Sequence, residues 1–146
     1  MTRYSIFALF FSALMLTVGC GGKSLDGSVE DLYNELEAQG TIICDCYVEF
    51  GIPSREMCEA FWFSRPTPEQ QACVVDAMGL DRATSQTAVD CLLAAERDYT
   101  DCAAANLDCA NDTSLDPCNN TYNAAIMACP DFTPEVDAAG EACFPA

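Results

Sequence analysis

The chain has 146 residues, with 23 acidic and six basic side chains, no histidine and a formal net charge of −17. Such a charge repels phosphate backbones and anionic headgroups, which excludes nucleic acid as a partner, and the missing imidazole removes the usual general base, the Ser-His-Asp arrangement and histidine metal ligands together. About half the residues are hydrophobic and eleven are cysteine, which predicts one domain with an apolar core and a covalent framework suited to an oxidising setting.

In chain order, Arg3 is the only charge before an apolar run from Ile6 to Val18, followed by Gly19-Cys20-Gly21-Gly22. A charged start, an apolar stretch of about 7–15 residues and small residues at the cut define a secretory signal; a membrane-spanning helix would need about 20 apolar residues. These residues resemble a bacterial lipoprotein signal, in which signal peptidase II cuts before a cysteine that receives diacylglycerol. Thr17 stands where that family usually has leucine, with Leu16 one place earlier and the expected Gly19. The resemblance implies that residues 1–19 are removed, that Cys20 is lipidated and that the bilayer is a partner through the acylated Cys20. Gly21, in place of the aspartate that retains enterobacterial lipoproteins in the inner membrane, implies the outer membrane. The alternative is an ordinary signal cut nearby. Cysteine arithmetic favours lipidation, because eleven is odd and the ten cysteines other than Cys20 can all pair. Residues 20–27 are small and polar beyond the cysteine and suit a short tether, leaving residues 28–146 as a single cysteine-rich helical domain.

Ser28 with Asp31 offers a helix cap, followed by apolar residues at Val29, Leu32, Leu36, Ile43, Tyr47 and Phe50, a spacing that predicts a long first helix. A competing strand over Thr41–Phe50 rests on β-prone Thr-Ile-Ile-Cys and alternation from Ile42 to Phe50, but no second strand is available to pair with it. Gly51-Ile52-Pro53 breaks the chain before a short helix at about Ser54–Phe63. Three later helices begin with a capping residue before proline, at Thr67-Pro68, Asp116-Pro117 and Thr133-Pro134. The first runs to Met78 and stops at Gly79. The longest, near Thr84–Ala105, places Ala88, Leu92, Ala95, Tyr99 and Cys102 on one face, and the Asp116 helix does likewise with Cys118, Tyr122, Ala125, Ile126 and Cys129. The expected fold is all-α, a disulfide-stapled bundle of about five or six short helices.

Cys91 and Cys102, like Cys118 and Cys129, are separated by about three helical turns and so share a face. Facing positions of an antiparallel hairpin have equal residue-number sums, which pairs Cys91 with Cys129 and Cys102 with Cys118. The twin spacing resembles that of the α-hairpinin peptides over about forty residues, a resemblance that implies geometry and no function. Cys73 with Cys91, centred on Gly79-Leu80-Asp81, is a rival pairing. By the same centring, Cys46 reaches Cys58 around Gly51–Pro53, and Cys44 then needs another partner because residues two apart on a helix point apart.

Enzymatic chemistry finds little support. A serine-lysine pair would have to use Lys23, the single lysine, beside the anchor; acid pairs arise by chance among 23 carboxylates; and Cys44-Asp45-Cys46 lacks the Cys-x-x-Cys spacing of redox sites. Neither a cofactor nor a metal site is expected. The segment Asp108–Asp116 carries clustered oxygens, yet as a calcium loop it has Ala110 at its third position and Asn119 where glutamate should close the site, so it reads as a solvated capping loop. Asn111-Asp112-Thr113 matches a glycosylation sequon. Phe61, Trp62 and Phe63 form the densest aromatic run, read either as core packing or as a contact for a partner or apolar ligand.

Taken whole, the chain resembles the small cysteine-rich lipoproteins of myxobacteria, on its signal, tether and cysteine density. The resemblance and the residues together lead to an expectation of a non-enzymatic, lipid-anchored envelope protein with a structural or protein-interaction role and an envelope or surface protein as partner. The alternatives are a carrier of a small apolar ligand, as plant lipid-transfer proteins are, and a cation-binding surface protein.

Overall fold

The computed structural model describes residues 23–111 and 113–144. Six α-helices follow one another: α1 (Leu25–Ile43), α2 (Arg55–Trp62), α3 (Pro68–Met78), α4 (Arg82–Asn106), α5 (Asp116–Ile126) and α6 (Pro134–Glu141). Single 3-10 turns lie at Cys44–Cys46 and Gly79–Asp81. The architecture is the expected all-α, disulfide-stapled bundle. Among the described residues no strand forms, and no helix is long and apolar enough to cross a membrane.

The first helix differs from expectation at both ends. Ser24, not Ser28, caps α1 by accepting a hydrogen bond from Gly27 N at 3.3 Å, and Leu25 is fully buried. Leu25, Asp26 and Gly27 therefore belong to the helical domain, which begins ahead of the expected boundary at Ser28. Ser28 faces α4 instead, donating to Asp90 Oδ1 at 2.7 Å and accepting from Gln86 Nε2 at 2.9 Å. At the other end α1 stops at Ile43, short of the expected run to Phe50. The run Thr41-Ile42-Ile43 is β-branched and weakens the helix, and the two cysteines that follow are drawn to different partners. The chain then turns through Gly51, whose φ of 69° suits glycine; Gly51 N donates to Val48 O and Ile52 N to Tyr47 O.

Of the proline-marked starts, Thr67 makes a full capping box, its hydroxyl accepting from Gln70 N while Gln70 Oε1 accepts from Thr67 N. Asp116 and Thr133, expected to cap in the same way, make no side-chain capping bond. Asp116 is itself the first residue of α5, entered by a turn in which its N–H donates to Thr113 O. Gly79 does not end its helix in the left-handed conformation; it continues into a 3-10 turn at φ −63°.

α1 and α4 lie parallel, since their contacts advance together: Ser28 with Asp90, Asp31 and Glu35 with Arg97, Gln39 with Glu96, and Ile43 in one cluster with Tyr99 and Ala103. α2 and α3 make the return that a parallel pair requires. The apolar core is split between the two ends of α1. Leu25, Val29 and Val89, flanked by Val75, Met78 and Phe132, form one cluster. Ile43, Tyr99, Ala103 and Cys118, flanked by Tyr122, form the other.

Five disulfides join all ten cysteines from Cys44 to Cys143, a density that fits an oxidising, extracytoplasmic environment. Cys91–Cys129 and Cys102–Cys118 close an antiparallel α4–α5 hairpin at two levels, the pairs with equal residue-number sums. Cys73 therefore does not join Cys91; it ties α3 to the end of the chain at Cys143. The expected Cys46–Cys58 pair is not formed: Cys58 bonds Cys44, and Cys46 bonds Cys109. Within the 3-10 turn Cys44 faces α2, and Cys46, pointing away from it, reaches the loop after α4.

Candidate functional site: an apolar groove beside α2

The Phe61-Trp62-Phe63 run is divided by the structure. Its members point in different directions because successive helical residues are separated by about 100°. Phe63, at the C-cap of α2, is half-buried and stacks on Tyr33 of α1, with ring centroids 6.0 Å apart. Phe61 is 80% and Trp62 46% exposed. Trp62 also backs onto α1, where a Cβ added at the buried Gly40 would lie 3.5 Å from the Trp62 Cβ.

Phe61 and Trp62 line a groove of about 450 Å³ with Phe50, Ile52, Pro53 and Met57. The Gly51 turn forms one wall and α2 the other. Met57 and Phe61 sit one helical turn apart and so share a face. Eight large hydrophobic side chains are exposed among the described residues, and four of them, Phe50, Met57, Phe61 and Trp62, line this one groove. Scattered apolar residues need no explanation, whereas clustering marks a contact surface.

The groove is rigidly mounted. Cys44–Cys58 fixes the middle of α2 to the end of α1, Ser54 caps α2 by accepting from Met57 N, and Arg55 holds three acceptors: Asp45 Oδ1 at 2.6 Å, Glu59 Oε1 at 2.8 Å and Thr41 O at 2.8 Å. Phe50 and Trp62 are shared with a second, more polar hollow of about 310 Å³ that includes Glu49, Asp108 and Cys109. Cys46–Cys109 anchors that side.

In Asp108–Asp116, weighed for calcium, three side-chain oxygens are engaged internally. Asp108 Oδ1 accepts from Ala110 N at 3.0 Å, Asn111 Oδ1 accepts from Thr113 N at 3.2 Å, and Ser114 Oγ accepts from Asp108 N at 3.2 Å. Asp112 of the sequon lies outside the described residues, as does Cys20. Among the described residues, no group of three acidic, cysteine or histidine side chains is placed to hold a metal ion.

The sequence reading overlooked one ionisable residue. Glu96 of α4 is only 6% exposed. Tyr122 OH donates to its Oε1 at 2.5 Å and Gln39 Nε2 to its Oε2 at 3.1 Å, so the carboxylate joins α5, α1 and α4. Burial raises the Glu96 pKa above the usual carboxylate range, against the two hydrogen bonds that favour the charge. Tyr122 is raised in turn by its own burial and by the bond to Glu96. With both oxygens satisfied inside a helix junction, Glu96 acts as a latch between helices.

No protein-family model, curated protein or solved structure matches this chain. The groove geometry and the charge around it are therefore the grounds for a functional reading.

Proposed function

We propose that this chain is a membrane-anchored, extracytoplasmic lipoprotein with a non-enzymatic role, holding the groove between the Gly51 turn and α2 out for a protein partner. The observation that carries this reading is the gathering of half the exposed large hydrophobic side chains of the described residues into one covalently mounted groove. Interface hot spots favour such rigid aromatic anchors, which lose little conformational freedom on binding. Anchoring is supported by the lipoprotein-like residues before Cys20 and by the pairing of the ten other cysteines, which leaves Cys20 as the odd thiol. Acylation with more than one chain gives stable attachment, here at the outer membrane.

Two measurements test this. Intact-mass analysis of the chain from its native membrane is expected to show acylated Cys20; an unmodified Cys20 overturns the anchoring. A photo-crosslinking residue at position 61 is expected to trap one discrete partner in the native envelope, whereas the same residue at position 127, where Met127 is 85% exposed outside the groove, is expected to trap none. Equal yields at the two positions would overturn the docking role.

A further inference from the structure

We infer that the groove takes a basic amphipathic segment of a partner protein, its apolar side chains seated between Met57, Phe61 and Trp62 and its cations on Glu49 and Asp108. This inference rests on the docking reading above and adds the chemistry of the partner.

The argument is one of charge complementarity. The described cations are few and mostly engaged: Lys23 pairs with Asp31, Arg55 with Asp45 and Glu59, Arg65 with Glu30 and Glu37, and Arg97 with Asp31 and Glu35. Arg55, the basic residue beside the groove, is thus neutralised by carboxylates of the domain itself. Glu49 and Asp108 are exposed and have no ion-pair partner among the described residues. Both lie in the hollow that shares Phe50 and Trp62 with the apolar groove. One continuous surface therefore passes from an apolar end at Met57 and Phe61, over the Phe50 and Trp62 rings, to a carboxylate end. A ligand matching both ends presents apolar side chains at the Met57 and Phe61 end of its contact and cations at the Glu49 and Asp108 end.

Other occupants fit less well. A second copy of the chain would bring two strongly acidic bodies into contact. An anionic bilayer carries the wrong sign, and the groove lies near the opposite end of α1 from Lys23; the 19-residue helix spans about 28 Å.

The chain holds a single tryptophan, Trp62, so its emission reports binding directly. The test uses the full chain in phosphatidylcholine nanodiscs and an amphipathic leucine-lysine peptide without tryptophan, of about five helical turns or 18 residues, with a twin in which glutamate replaces lysine. The lysine peptide is expected to blue-shift Trp62 and to bind at least about tenfold more tightly than its twin, a preference that shrinks at high salt because exposed charges are screened. Glu49→Gln with Asp108→Asn is expected to reduce that preference; asparagine keeps the oxygen that accepts from Ala110 N. Phe61→Ser with Met57→Ser, both at exposed positions, is expected to abolish binding of either peptide. Equal binding of the two peptides, unchanged binding by the serine variant, self-association that buries Trp62, or a Trp62 shift with lipid vesicles alone would each overturn the inference. If neither peptide binds while position 61 still crosslinks one partner, the assignment of a basic partner fails and the docking role stands; if crosslinking also fails, both fall.

Discussion

The α4–α5 hairpin and the α2 segment are both stapled by cysteine and each carries a pair of aromatic rings in contact, yet they use them in opposite ways. In the hairpin Tyr99 and Tyr122 meet at 5.2 Å between ring centroids, and the buried Glu96 beneath them is satisfied by Tyr122 and Gln39. In α2 the Phe61 and Trp62 rings stand edge to face at 6.5 Å with their outer surfaces in solvent. The hairpin's apolar face has α1 against it; the outer face of α2 has no helix against it among the described residues. A disulfide mounts a helix, but only an opposing surface buries its face. Exposed aromatics held in place by covalent bonds are available for a second molecule without a folding step.

The largest expected effect comes from the staples. Cys91→Ser with Cys129→Ser and Cys44→Ser with Cys58→Ser are each expected to lower stability by about 3 kcal/mol through the loops they reopen. They should differ in what opens. An isolated eight-residue helix is too short to persist, so without Cys44–Cys58 the α2 amides should exchange through a local opening, while α5 amides in the other variant should still exchange only with global unfolding. Hydrogen exchange resolved by residue distinguishes these, and equal protection of α2 and α5 in both variants would erase the contrast.

A smaller effect is expected at the latch. Glu96→Ala removes the acceptor for Tyr122 OH and Gln39 Nε2 and is expected to cost about 2 kcal/mol, measured by the denaturant midpoint. Glu96→Gln is expected to stabilise at neutral pH. Because burial raises the folded pKa, the folded state holds its proton more tightly than the unfolded state. The wild type is therefore favoured at low pH and loses that part of its stability as pH rises through the raised value. Glutamine removes the charge, its oxygen accepting from Tyr122 OH and its NH2 donating to a Gln39 side chain turned to present its own oxygen, so the corresponding limb of the pH–stability profile should flatten. A variant that keeps the wild-type slope would show that Glu96 does not set it.

The smallest effect on stability is expected at the groove, where Phe61→Ser should change the unfolding free energy by no more than about 0.5 kcal/mol, as surface substitutions do. A loss comparable to that of Glu96→Ala would mean that Phe61 supports the fold.

The proline-marked starts and the equal residue-number sums of the hairpin cysteines were legible because each rests on local or two-body geometry. The partners of Cys44 and Cys46 were not, because opposite facing of residues two apart does not say which of the two meets α2, and α1 ends seven residues before Phe50. Glu96 was hidden by the width of the buried face: Ala88, Ala95 and Tyr99 of the expected stripe are buried, and so is a neighbouring stripe of Val89, Leu93, Glu96, Thr100 and Ala103 at the same helical spacing. An acid within a second stripe of that period was the available signal. The exposure of Phe61 and Trp62 was not legible, since the sequence of α2 records its own periodicity and says nothing of whether another element covers it.

The order of the disulfides has a further consequence for shedding. Any single proteolytic cut between Cys44 and Cys143 is bridged by at least one of the five bonds, so a nick in the α4–α5 loop or ahead of α3 leaves the pieces joined and the groove attached. Residues between Cys20 and Cys44 have no such bypass, and most of them are wound into α1 against α4. If the chain is anchored at Cys20 as proposed, a cut ahead of Leu25 is expected to release the body intact, groove included.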